Sequence, residues 1–128
     1  MPTSPPTVFS LKGFIMFESN LVLLRGRVTS EPTIRELPSG STVTQLEITT
    51  RIGDANSTVP VAVHGRVVEV RPGDEVVVAG SVQRRFFRAG GVTQSRTEVI
   101  AAEIVPVTRK RAVTKLISSA MTTLGSAR

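Results

Sequence analysis

The sequence predicts an all-β protein, a small closed barrel of five antiparallel strands followed by a basic helix. Its apolar residues are chiefly Val, Ile, Leu and Ala, with five Phe and neither Trp nor Tyr, a composition that favours strands. Five segments alternate apolar and polar residues with a period of two, as half-buried strands do. Glycines inside two of these segments indicate the bends at which a small barrel closes.

The length of 128 residues accommodates one domain with short appendages. Residues 1–16 contain three prolines among Ser and Thr, a composition that resists both helix and sheet and predicts a disordered extension. Met16 is a candidate translation start. We assign residues 17–107 to the folded domain and residues 108–128 to a basic tail.

The first two strands are predicted over residues 20–29 and 42–51. In the first strand, arginines lie on the outer parity and a glycine marks a bend. In the second strand, Leu46 and Ile48 point to the core. Residues 33–37 lead into a Pro-Ser-Gly turn between the two strands.

The other three strands are predicted over residues 58–64, 75–87 and 97–107, after a loop at residues 53–57. The run between the third and fourth strands ends in an Arg-Pro-Gly-Asp turn, so no lasting helix is expected there. The core parity of the fourth strand comprises Val76, Val78, Gly80 and Val82. Five strands with one long hairpin between the fourth and fifth indicate a barrel of the oligonucleotide/oligosaccharide-binding type, the OB-fold.

The tail carries apolar residues at helical spacing, namely Val113, Leu116, Ile117, Ala120 and Leu124. This spacing predicts an amphipathic helix, which packs either on its own barrel or on another subunit or partner. Of the formal net charge of +6, residues 109–128 contribute five basic side chains and no acidic one. Such asymmetry favours a polyanionic partner over a device for solubility alone.

The hairpin between the fourth and fifth strands is the main candidate site. Residues 80–96 set four arginines and two adjacent phenylalanines about a Gly-Gly turn, with no carboxylate among them. Arginine pairs with phosphate and stacks on flat rings, and an exposed Phe offers a face for any base. The pattern fits a nucleic-acid strand as ligand and equally a basic hairpin that only keeps the protein soluble, so the rest of the chain has to decide between the two.

The residue types present argue against several other functions. The absence of cysteine excludes disulfides, thiolate chemistry and zinc fingers. One histidine, scattered glutamates and no phosphate-binding loop predict no catalysis, no metal and no cofactor. No apolar run approaches the ~20 residues of a membrane span, and the N-terminus lacks the order of a secretory signal, so we expect a cytoplasmic protein.

Two segments resemble the bacterial single-stranded DNA-binding protein family. Residues 24–51, LRGRVTSEPTIRELPSGSTVTQLEITTR, are similar to that family's opening strand, its two turns and its long second strand. Residues 63–98, with the runs HG, RPGDEVVVAGSVQRRFFRAGG and RTE, are similar to the later part of its barrel. The resemblance implies an OB-fold that binds single-stranded DNA irrespective of sequence in replication, repair or recombination. It also implies a nucleoid-associated homo-oligomer, commonly a tetramer, with a dimer as the other expectation.

The resemblance also assigns roles to residues. Phe87 stands where the family commonly has a stacking Trp, and His64 where it often has a stacking Phe. Thr58 stands where another Trp is usual, so one stacking platform is missing. Strand parity turns Phe87 outward and Phe86 toward the core. The full set of candidate DNA-binding residues is Arg25, Arg27, Arg51, His64, Arg66, Arg84, Arg85, Phe86, Phe87, Arg88 and Arg96.

The chain departs from the family at its end. Family members typically end in a flexible acidic tail that recruits replication and repair enzymes, whereas this chain ends in a basic segment, so recruitment in that way is not expected. The chain therefore resembles a divergent or accessory member, and the primosomal replication protein N branch is its rival within the fold. Two other interpretations stay open: an RNA-binding OB-fold, and a protein-interaction module in which the barrel is only a scaffold.

Overall fold

The computed structural model describes residues 18–125, so the extension predicted over residues 1–16 lies outside the described residues. Within the described part, the elements are β1 (Val22–Val28), β2 (Thr33–Glu36), β3 (Thr42–Ile52), β4 (Ala55–His64), β5 (Glu75–Ala89), β6 (Val92–Pro106) and α1 (Lys110–Gly125). No helix forms between β4 and β5 in this part of the chain, as the Arg-Pro-Gly-Asp turn predicts.

Five of the strands close into a barrel. Their order is β1-β5-β6-β4-β3, and β1 pairs back to β3 through Arg27↔Thr49 and Val28↔Ile48. The sixth strand, β2, pairs with β3 outside this ring. The OB-fold barrel predicted from the sequence is therefore confirmed.

The barrel is mixed, which corrects the expectation of a purely antiparallel one. The pair β4–β6 is parallel, through Val61↔Val99 and Ala62↔Ile100, while the other pairs of the ring are antiparallel. The reason is topological. Strand directions cannot alternate all the way round a ring with an odd number of strands, so at least one neighbouring pair has to be parallel.

The barrel interior is filled by small aliphatic side chains on one parity of each strand. Its buried members are Val28, Leu46, Ile48, Val61, Val63, Val76, Val78, Val99 and Ala101. Val82 belongs to the same parity of β5, but it is 45% exposed, so its assignment to the core was wrong. Val82 pairs with Val99, which is still in the core, but Val82 lies at the margin of the barrel, where β5 begins to project with β6 as a two-stranded arm.

Two glycines fit the bends that close the barrel. At Gly26, a Cβ would lie 2.5 Å from the carbonyl oxygen of Thr49, because β1 crosses closely over β3 there. At Gly80, a Cβ would overlap the backbone carbonyl of Ile100. The β5–β6 register also slips at this point, from Ala79↔Glu103 to Gly80↔Ala101. Both positions require glycine, because a Cβ would block the close approach of the two backbones.

The β3–β4 hairpin is tighter than the sequence indicates. Residues 53–57 were expected to be a loop, but Ala55 already pairs with Ile52 and β4 begins there. Gly53, with a φ of 62°, supplies the turn. The polar composition of residues 55–57 predicts a loop, yet pairing with a long neighbouring strand outweighs that weak local preference.

Helix α1 packs on the outside of its own barrel. Leu116 and Ala120 are buried, and Leu116 joins Val77 and Ala79 in a second apolar cluster, with Val105, Val107 and Val113 packed against it. The first half of β5 is consequently buried on both faces, with Val76 and Val78 inside the barrel and Val77 and Ala79 under the helix.

Candidate nucleic-acid interface

The arm formed by β5 and β6 has two faces. Residues paired across neighbouring strands point to the same side of a sheet. The pairs Gln83↔Glu98, Arg85↔Arg96 and Phe87↔Gln94 therefore share one face, which we call the arm front. The pairs Arg84↔Thr97, Phe86↔Ser95 and Arg88↔Thr93 share the other, which we call the arm back. The Gly90-Gly91 turn joins the strands, with φ angles of 61° and 79°.

The arm front continues onto the outer surface of the barrel. On β6, Ile100 has the parity of Glu98 and pairs with Ala62 of β4. On β4, Thr58 has the parity of Ala62 and pairs with Thr49 of β3. The outer faces of the arm, β4 and β3 are thus continuous, with an apolar step at Ile100 and at the buried Ala62 between the arm front and Thr58.

One carboxylate organises the arm front. Glu98, whose side chain is 6% exposed, accepts a hydrogen bond from Nε of Arg85 at 3.3 Å, and its other oxygen lies 3.9 Å from Nε of Arg96. The guanidinium of Arg85 also lies 5.2 Å from the centre of the Phe87 ring. Charge pairing and ring contact together hold Arg85 beneath a half-buried Phe87.

Sequence reasoning missed Glu98 as a functional residue. The segment over residues 80–96 contains no carboxylate, but the hairpin brings in Glu98 from two residues beyond it. The sequence could have indicated this residue, because a hairpin that turns at Gly90-Gly91 places Glu98 opposite Gln83 and beside Arg85. Two of the four arm arginines, Arg85 and Arg96, therefore share the single negative charge of Glu98.

The arm back carries the other aromatic ring. Phe86 is 65% exposed, and the guanidinium carbon of Arg84 lies 5.9 Å from the centre of its ring. Alternation predicts that Phe86 faces the core, but the arm has left the barrel at this point, so both faces meet solvent. Near the tip, Arg88 donates hydrogen bonds to the carbonyl oxygen of Gly91 at 2.8 Å and to Oγ1 of Thr93 at 3.4 Å.

A row of threonine hydroxyls crosses the outer surface of the barrel. Oγ1 of Thr29 and Oγ1 of Thr49 are 2.9 Å apart, and Oγ1 of Thr49 and Oγ1 of Thr58 are also 2.9 Å apart. Hydroxyls both donate and accept hydrogen bonds, and they are common ligands of phosphate oxygens. Sequence reasoning treated Thr58 only as a lost aromatic platform and overlooked this hydroxyl row.

The remaining candidate residues fall into separate groups. Arg27 pairs with Thr49 in the sheet, and Arg51 lies two residues beyond Thr49 on the same parity. His64 is exposed at the end of β4, on the side away from the arm because β4 runs parallel to β6. Arg66 is exposed just beyond it. The structure thus brings Arg27 and Arg51 to the hydroxyl row and leaves His64 and Arg66 at the far side.

The charges of these arginines are not equally available. Nε of Arg25 lies 3.0 Å from Oε2 of Glu75. Arg51 donates to the carbonyl oxygen of Gly53 at 3.1 Å and lies 4.0 Å from Asp54. Among residues 18–125, Arg27, Arg66, Arg84 and Arg88 have no carboxylate within 4.0 Å. Among the candidate arginines, these four have charge to offer a phosphate.

Two other kinds of feature are absent from the part of the chain that the structure describes. No group of three or more His, Asp or Glu side chains there is placed to hold a metal ion. Within the same residues, no helix has the length and apolar character to cross a membrane.

A closed five-stranded barrel with a projecting arm, whose outer surface joins arginines, an aromatic ring and hydroxyls, defines an oligonucleotide-binding OB-fold. The chain belongs to the single-strand binding protein family, whose model matches residues 19–107. Membership of this family makes it a single-stranded DNA-binding protein and confirms the resemblance seen in the sequence.

Among solved structures, the chain is similar to a Plasmodium falciparum SSB in complex with ssDNA, with a TM-score of 0.60 and 22% identity. The match covers 70% of this chain and 95% of that one, and at this identity the likeness establishes the fold. Comparison with curated proteins gives no match.

Proposed function

We propose that the chain binds single-stranded DNA irrespective of sequence along the arm front and the outer surface of β3 and β4. The observation that carries this proposal is the continuity of the arm front with the hydroxyl row, through Ile100, Ala62 and Thr58. Stacking and phosphate contacts are sequence-tolerant, because every base has a flat face and every nucleotide a phosphate.

In this proposal, Phe87 is the principal stacking platform, and Arg85 lies beneath its ring. A stacked base contributes ~1–3 kcal/mol. Arg27 and the hydroxyl row bind phosphates, since hydroxyls and unpaired guanidinium groups are the ligands that phosphate oxygens prefer. Secondary contacts come from Arg25, Arg51, His64, Arg66, Arg84, Phe86, Arg88 and Arg96.

We further propose that the protein acts as a homo-oligomer, a tetramer or a dimer, that protects single strands in bacterial replication, repair or recombination. The strand β2 supports self-association, because it pairs with β3 on one side and all four of its residues are exposed. Because the proposed ligand is DNA, we place this action in the cytoplasm, at the nucleoid. No catalytic step is part of the proposal.

The test is a binding titration with fluorescent single-stranded and duplex oligonucleotides of one sequence, at two salt concentrations. We expect tighter binding to the single strand and an affinity that falls steeply with salt, because bound arginines displace counterions. An RNA strand of the same sequence measures the preference between sugars. Equal affinity for duplex and single strand, or a flat response to salt, contradicts the proposal.

A further inference from the structure

Helix α1 carries a cationic cluster on its exposed side. The cluster comprises Arg109, just before the helix, and Lys110, Arg111 and Lys115 within it, all exposed. Residues 104–125 contain no carboxylate, and no cluster member has one within 4.0 Å among the residues that the structure describes. Four positive charges are therefore presented to solvent without compensation.

This arrangement does not serve the stability of the helix. Arg111 and Lys115 lie four residues apart and so share one face, where like charges destabilise a helix. Lys110 and Arg111 lie in the first turn, where cations oppose the helix dipole, and the first turn has no acidic residue. The helix is held instead by its apolar side, through Leu116 and Ala120. Its exposed charges are thus free to bind a partner.

The cationic cluster lies beside the proposed DNA path. Val113 packs against the cluster of Val77 and Leu116, and Val77 pairs with Arg25 of β1. Two residues further along β1, on the same parity, Arg27 pairs with Thr49 of the hydroxyl row. Of the carboxylates near this route, Glu75 is paired with Arg25 at 3.0 Å, Glu47 lies on the parity of Thr49, and Glu103 lies opposite Ala79 beside the helix. Two exposed arginines of β1, Arg25 and Arg27, therefore lie between the hydroxyl row and α1.

We propose that the cationic cluster of α1 is a second phosphate-binding surface, which holds the continuation of the same DNA strand after it has crossed β3 and β1. The inference rests on the proposed function, because it extends the path of that strand. A short oligonucleotide is held by the arm front and the hydroxyl row alone. A longer one also reaches Arg111 and Lys115, so the cluster lengthens the site and steepens the salt dependence of binding.

The test compares the full chain with the variant Arg111→Gln/Lys115→Gln. Binding of oligothymidine is measured by fluorescence anisotropy over a range of salt, with strands of about 8 and about 30 nucleotides, since an OB-fold covers ~4–16. For the long strand we expect the slope of log affinity against log salt to flatten by about 1.4 and the affinity near physiological salt to fall about tenfold. For the short strand we expect both quantities to stay unchanged.

Two controls separate this effect from loss of charge or of structure. Arg111→Lys/Lys115→Arg keeps both charges and should match the unmodified protein. Arg35→Gln removes an exposed charge from β2, outside the cationic cluster, and should leave the length dependence unchanged. Far-ultraviolet circular dichroism shows whether α1 is retained in each variant, and Gln is a good helix former.

The outcomes are distinct. Unchanged slopes for both lengths overturn the inference and leave an acidic protein as the partner that the cluster fits. Equal losses for both lengths also overturn it, because the cluster would then act through net charge or within the primary site. If the unmodified protein fails to bind either strand at low salt, the proposed function falls, and the inference falls with it.

Discussion

Replacing Phe87 with Ala tests the assignment of the arm front, and Phe86→Ala is its matched control. The two residues are adjacent and identical in type, and each ring lies within 6 Å of an arginine guanidinium, at 5.2 Å for Phe87 and 5.9 Å for Phe86. They differ in the face they occupy. Only Phe87 lies on the face that continues onto β4 and β3.

The expected loss for Phe87→Ala follows from one stack. A base on an aromatic ring contributes ~1–3 kcal/mol, so we expect the affinity to fall about 5- to 150-fold. This loss exceeds what any single arginine substitution on the arm should cause. For Phe86→Ala, which removes only a secondary contact on the arm back, we predict a change of less than about threefold, which is ~0.6 kcal/mol.

The assay is fluorescence anisotropy with a single-stranded oligonucleotide at fixed salt, together with urea unfolding of each variant. Both rings lie beyond the barrel core, so the free energy of unfolding should change by less than about 1 kcal/mol in either variant. A larger loss of affinity for Phe86→Ala would mean that the strand follows the arm back. Unchanged affinity in both variants would refute stacking on the arm altogether.

Three further predictions concern other residues. Glu98→Gln removes the one negative charge that Arg85 and Arg96 share, so salt titration should show a slope steeper by about 0.7, and an unchanged slope would mean that neither arginine reaches a phosphate. Thr49→Val breaks the hydroxyl row at its centre and should weaken binding in the same titration while urea unfolding changes by at most about 1–2 kcal/mol. Gly26→Ala forces a Cβ to 2.5 Å from a backbone oxygen and should lower the free energy of unfolding by about 1–3 kcal/mol, whereas Gly125→Ala, with open space around it, should not lower it.

The alternation of apolar and polar residues was sufficient to predict the strands of the barrel and the residues of its core. Leu46 and Ile48 were assigned to the core and are 3% and 0% exposed, because a strand with one buried face has only one workable parity. The same argument failed at Val82. Parity tells which side a residue faces, but it does not tell where the barrel behind that side ends.

The candidate site was only partly predictable. Local composition located the arm and its arginines, because Arg, Phe and Gly-Gly lie close together in the chain. The ion pairs of Glu98 and the hydroxyl row depend on cross-strand register, which joins residues as distant in sequence as Thr29 and Thr58. Register is set by turns and bulges, and amino-acid composition does not predict the register shift between β5 and β6 at Gly80.

The burial of β5 has a consequence for motion. This single strand of 15 residues is buried on both faces from Val76 to Ala79. Beyond Val82, neither of its faces is covered by a core. Amide protons in the covered half should exchange with solvent only when the whole domain unfolds, and those of the outer half through local opening. One continuous strand then joins the most protected part of the protein to its most adaptable part. The arm can reshape itself around a ligand without loosening the barrel that anchors it.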